Sequence, residues 1–218
     1  MNSTRILTCA LAATLLLAPP AARSQTRLEA FFVRIEAGDP ALESYRASLD
    51  FSVGLHSFPF LHKTVRGTTY YKRPGRTELV LEKLPGYLHG LISEHLFISL
   101  GPPQSWTAQF DVGLVGEEGR DEHIRLTPKM ARTRIREVAI YLDEASGLPS
   151  KIVWLYTNGS IVMNQTVGKV EGHYVVVGAD ADMHYPAVHA YMHTKVHDFV
   201  WNVPVDDAIF TEPVLLNP

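Results

Sequence analysis

The sequence predicts a mainly β protein with minor α content, in which a curved antiparallel sheet is covered by one or two helices. Three observations predict it. Tyr45 to His56 alternates apolar Tyr45, Ala47, Leu49, Phe51, Val53 and Leu55 with Arg46, Ser48, Asp50, Ser52, Gly54 and His56, the period of two that gives a strand one apolar and one wet face. Pro74-Gly75, Ser146-Gly147-Leu148-Pro149 and Asn158-Gly159 each separate two strand-like runs, as turns do. Only two segments carry the apolar spacing of a helix.

The chain opens on an address. Residues 1–24 place Arg5 before an apolar run, Ile6 to Ala18, and end in Pro-Pro-Ala-Ala-Arg-Ser. That is a secretory signal peptide with small residues at Ala22 and Ser24 for the peptidase. The apolar run is about a dozen residues, too short to cross a bilayer of roughly 30 Å. Cleavage near Ser24 removes Cys9, the only cysteine, so residues 25–218 are expected to fold as a single domain without disulfides in an oxidising compartment. The net charge of -3 offers no basic surplus for a phosphate backbone, which argues against nucleic acid as a partner. With 46% hydrophobic and 20% charged residues, the chain is far from disordered or collagen-like composition.

Along the domain, Arg27 to Ala37 carries Leu28, Phe31, Phe32 and Ile35 on one helical face. The Tyr45–His56 strand follows. Arg66–Arg73 and Arg76–Leu84 flank Pro74-Gly75, and a second helix is predicted over Gly86 to Phe97, before Gly101-Pro102-Pro103. Thr107–Val115 alternates Ala108, Phe110, Val112 and Leu114 with polar partners. Ile135–Asp143, Lys151–Thr157 and Ser160–Thr166 read as strands joined by tight turns. Asn158-Gly159 fits a turn that needs positive φ. His173–Val177 and part of Val188–Val200 complete the set.

Such a sheet must hide its apolar face, and two short helices are few for seven or more strands. Either the sheet closes into a barrel, or it leaves an apolar trough ready for a hydrophobic ligand, or sheet and helices pack dry. Judged by hydrophobicity, the face comprises Leu49, Phe51, Val53, Leu55, Leu79, Leu81, Phe110, Val112, Leu114 and Trp154.

Catalytic signatures are missing. The chain has no Gly-x-Ser-x-Gly elbow, P-loop, dinucleotide fingerprint or His-Glu-x-x-His, and export removes the one thiol. His89, Glu94 and His95 have the wrong spacing for an inverted zinc motif. His189, His193 and His197 recur every fourth residue, a chelating row in a helix. Thr194, Val196 and Val200 favour a strand there, which spaces successive histidines of the row about 13 Å apart, and Lys195 repels a cation. Asp180 and Asp182 read as solvated loop acids rather than a hard-cation site. Asn158 and Asn164 head glycosylation sequons in form only. No metal and no cofactor are expected.

Three segments together resemble the bacterial outer-membrane lipoprotein carrier (LolA-like) and lipoprotein-sorting family. They are Gly67-Thr-Thr-Tyr-Tyr-Lys-Arg73-Pro74-Gly75, the strand succession through Leu142-Asp143, Gly147 and Asn158-Gly159, and the closing Asp198-Phe-Val-Trp-Asn-Val-Pro-Val-Asp-Asp-Ala-Ile-Phe210. They span roughly residues 27 to 212. The resemblance implies an unclosed half β-barrel with helices as a lid over an apolar cavity that receives acyl chains. It also implies a lid-contacting arginine, at Arg73 here. The predicted Gly86–Phe97 helix departs from the family's pattern, in which an Asp-Gly hairpin is expected after the third strand.

The expectation is therefore a periplasmic, non-enzymatic carrier or binding protein for lipid or lipidated protein, served by membrane-bound donor and acceptor proteins. The rival expectations are an envelope sensor that docks a protein partner through the Gly86–Phe97 helix, and a metal enzyme built on the histidine row.

Overall fold

A computed structural model describes residues 20–37, 39–56, 62–82, 103–117, 120–130, 133–186 and 188–210. Helix α1 (Pro20–Ala37) leads into strands β1 (Ser44–Leu55), β2 (His62–Lys72) and β3 (Arg76–Leu81). Helix α2 (Pro103–Gln109) then precedes β4 (Phe110–Glu117), β5 (Arg120–Pro128), β6 (Ile135–Leu142), β7 (Pro149–Tyr156), β8 (Gly159–Val170), β9 (His173–His184) and β10 (His189–Trp201). A 3-10 turn, Asp207–Ile209, follows. The expected Gly86–Phe97 helix lies outside the described residues.

All ten strands join one sheet in the order β3-β2-β1-β10-β9-β8-β7-β6-β5-β4, and every pairing is antiparallel. The first strand pairs with the last, Leu49 opposite Val196 and Val53 opposite Met192. That pairing brings the chain round into a curved sheet. The edges are β3 and β4, consecutive among the described strands but unpaired with each other, so the sheet stays unclosed. This is the expected half-barrel.

Period two sets the inner face. From β1 the register carries it to Val65 and Gly67 on β2, Leu79 and Leu81 on β3, and Met192 and Val196 on β10. On the far half it runs through Met183, Ile161, Trp154, Val138, Leu126 and Val112. Helix α1 lays Leu28, Phe31, Phe32 and Ile35 against this surface, and its Phe32 ring meets Trp106 of α2 at 6.2 Å.

Four local expectations are corrected. Thr107 to Gln109 is the end of α2, not the start of a strand. Pro103 suits a first helical turn, and burying Trp106 fixes the helical phase, which leaves Ala108 exposed. Strand β5 was not foreseen, because Arg120-Asp-Glu-His precedes its only two apolar residues; Ile124 and Leu126 are nevertheless fully buried. The β7–β8 turn is Thr157-Asn158, one residue earlier than expected, with Tyr156 paired to Gly159. Positive φ at Asn158 or Gly159 is not what makes it. Gly159 is needed for room, since a Cβ there would lie 2.4 Å from both the His184 carbonyl oxygen and Tyr185. Asp180 and Asp182 sit within β9, not in a loop. By contrast the Gly147 turn is as expected, with φ +71 and Asp143 accepting from the Ser146 N–H at 2.9 Å and hydroxyl at 2.7 Å.

Candidate functional site

The concave face is one continuous apolar surface. All ten residues expected to line it belong to a single hydrophobic cluster: Leu49, Phe51, Val53, Phe110 and Trp154 are buried, and Leu55, Leu79, Leu81, Val112 and Leu114 pack half-buried around them. The face is covered rather than open to water, Phe51 being 1% exposed. Part of the cover is α1, the expected helix over the sheet, which packs Leu28, Phe31, Phe32 and Ile35 on this surface. Met163, Met183 and Met192 join the same surface. Their unbranched side chains adapt to irregular shapes. The i, i+2 pattern of Ile161 with Met163 and of Ala181 with Met183 is the signal that finds them.

Arg73 stands where β2 turns into β3 and reaches across to the connection between α1 and β1. Its Nε and Nη2 donate to the Leu42 carbonyl at 3.3 and 3.2 Å, and Nη2 also donates to the Asp39 carbonyl. The Arg73 backbone N–H donates to the Glu43 carbonyl at 2.9 Å. The guanidinium thus holds the segment on which α1 hangs, not the helix itself. Beside it, His173 Nδ1 lies 2.5 Å from Asp39 Oδ2. That hydrogen bond keeps the Asp39 carboxyl below its usual range, against a smaller opposing effect of burial.

The same end of the sheet carries a second hydrophobic cluster, rich in aromatic rings, that the sequence does not predict. Tyr45 stacks on Tyr71 at 5.3 Å and meets Phe199 edge-on at 5.4 Å, while Phe199 stacks on Trp201 at 5.0 Å. Burial pushes the Tyr45 hydroxyl well above its usual range. The closing segment seals this end. Asn202 Oδ1 accepts from the Glu43 N–H at 2.9 Å, and Asp207 pairs with Lys72 and Arg76, each at 2.8 Å. The Arg-Pro-Gly turn and the closing segment, far apart in sequence, therefore meet around the α1–β1 connection.

The histidine row lies on the convex face of β10. His193 pairs with Asp180 at 2.6 Å, and His197 with both Asp198 at 2.7 Å and Asp50 at 3.2 Å. His189 instead packs edge-on to His184 at 5.1 Å. Asp182 pairs with His56 at 3.1 Å. Among the described residues no three His, Cys, Asp or Glu side chains gather as metal ligands.

Solved structures share this architecture. A DUF1329 family protein from Desulfovibrio piger matches 87% of this chain and 98% of its own, at 15% identity and a TM-score of 0.58. A putative outer membrane lipoprotein-sorting protein domain from Vibrio parahaemolyticus matches 89% of this chain and 99% of its own, at 9% identity and a TM-score of 0.58. The fold is LolA-like. A LolA superfamily protein from Nitrosomonas europaea agrees over 84% of this chain and 97% of its own, at 12% identity and a TM-score of 0.51. No family model and no curated protein matches the sequence. At these identities the likeness is one of fold alone, and a LolA-like fold does not by itself carry a function.

Proposed function

We propose that the chain is a periplasmic, non-enzymatic carrier that holds an acyl chain of a lipid or lipidated protein against its concave face and moves it between membrane-bound donor and acceptor proteins. The observation that carries this reading is the apolar surface itself, which runs unbroken across an unclosed sheet and is covered in part by a helix rather than by a second sheet. The leader sequence supports export to the periplasm.

The energetics suit partition. Burying an acyl chain gains about 0.8 kcal/mol per methylene, so a ten-carbon stretch gains roughly 8 kcal/mol before the ordering cost of binding. Because the face is covered when empty, uptake exchanges contacts with α1 for contacts with the acyl chain. Release is the reverse exchange, and the net affinity stays moderate because the cover competes with the cargo. Leu49, Phe51, Val53, Leu55, Leu79, Leu81, Phe110, Val112, Leu114 and Trp154 form the binding surface, and Arg73 anchors the connection about which α1 moves.

Native mass spectrometry of the protein purified from a periplasmic extract, with organic extraction of the same sample, tests the reading. The expected result is a discrete added mass that extracts as lipid. A clean apo mass that stays unshifted on adding phospholipid and lipopeptide would overturn it.

A further inference from the structure

Trp154 is 6% exposed, yet its indole Nε1 has no hydrogen-bond partner among the described residues. Indole N–H is a donor only, and a buried donor left unmade costs about 1–3 kcal/mol. Its cross-strand neighbours are Val138 on β6 and Ile161 on β8, both hydrocarbon, and Met183 lies beyond Ile161. One step along the same face of β7, Tyr156 brings its ring to 5.6 Å from that of Tyr185. Burial pushes the Tyr185 phenol up to about 12 and raises that of Tyr156 as well, so both hydroxyls keep their protons. One end of an otherwise apolar face thus presents buried donor chemistry at Trp154 with neutral phenols beside it.

We propose that this end receives the ester carbonyl of a glyceryl acyl chain, the Trp154 N–H donating to the carbonyl oxygen while the hydrocarbon runs along the rest of the face. The inference rests on the carrier reading and narrows it from any hydrophobic chain to one that carries an acceptor. A neutral carbonyl fits the site better than a charged headgroup, because the hydrocarbon cross-strand neighbours Val138 and Ile161 offer no charge to offset the desolvation of a phosphate or carboxylate. A plain alkane fills the same surface and leaves the indole donor unmade.

The test compares two ligands that differ by one carbonyl, the myristoyl ester and the tetradecyl ether of lysophosphatidylcholine. The full mature protein is expected to bind the ester about fivefold to tenfold more tightly. The Trp154 indole proton, assigned by its loss in Trp154→Phe, is expected to move downfield with the ester and not with the ether. Trp154→Phe should still bind both, with the preference gone. Should that variant fail to fold, Trp106→Phe and Trp201→Phe assign the remaining indole by elimination, and the wild-type shift decides alone. The same pair made as S-glyceryl lipopeptides separates the two sources of such an ester, phospholipid and lipoprotein, and an ester preference in either pair supports the proposal. Equal binding of ester and ether by the wild type, or a preference retained in Trp154→Phe, would overturn this inference and leave the carrier reading standing. Binding of neither would overturn both.

Discussion

Arg73 shows how much one side chain fixes at the residue scale. Its guanidinium serves two backbone carbonyls that no helix or strand bond satisfies, and hydrogen bonds from a charged donor are the stronger kind. Replacing it with alanine is expected to cost about 1–2 kcal/mol, discounted for its partial exposure, read as a lower urea midpoint. The same variant is expected to speed amide exchange through α1 while β6–β8 stay protected. Asp39, its neighbour, adds a pH dependence of known sign. The folded state lowers its pKa below the ordinary 3.8, so the pair with His173 contributes stability above that value and loses it as pH falls through the lowered pKa. In thermal melts Asp39→Asn should therefore melt below the wild type at pH 7, and the gap should close below pH 3.8. A gap that widens on acidification would contradict this assignment.

At the scale of elements, what the sequence shows depends on how local the cause is. The β1 strand is legible because alternation is written into twelve consecutive residues, and α1 because four apolar residues share one helical face. The β7–β8 hairpin is legible to within one residue but not in mechanism. Its glycine answers to Tyr185, on a strand end distant in the sequence, and no local pattern reports that. Gly159→Ala is accordingly expected to cost about 1–3 kcal/mol through overpacking, although no unusual φ is involved; a neutral midpoint would show that the β9–β10 end yields easily. Helix α1 makes the complementary prediction. Phe32→Ala removes its ring contact with Trp106 and is expected to cost about 2 kcal/mol, less than a fully buried phenylalanine. It should also raise the binding of an apolar dye while the β signal in far-ultraviolet circular dichroism holds.

For the whole molecule, alternation and turns made the antiparallel sheet legible, whereas its unclosed half-barrel form came only from the family resemblance, since the residues alone left closed barrel, open trough and dry packing open. The site was legible only in part. Its ten foreseen residues do share one apolar surface, since hydrophobicity with period two picks a face reliably. What holds the helical cover in place depends on contacts between chain segments far apart: Arg73 with residues 39–43, and Asn202 with Glu43. Those contacts have no signature in either segment alone. Charge hid β5 for the same reason, since Arg27 pairs with Glu122 and so gives an acid a place on the inner side of the sheet.

The central claim is that α1 is a movable cover over an acyl-binding face. Spin labels at Val33→Cys on the exposed side of α1 and Lys195→Cys on the convex face of β10 report that movement directly, as a distance measured with and without the myristoyl lysophospholipid. Cys9 is the only native cysteine, so protein expressed without residues 1–24 takes both labels specifically. The account predicts a distance distribution that shifts outward by several ångströms on loading and returns when the ligand is extracted. An unchanged distribution in protein shown by mass to be loaded would contradict it.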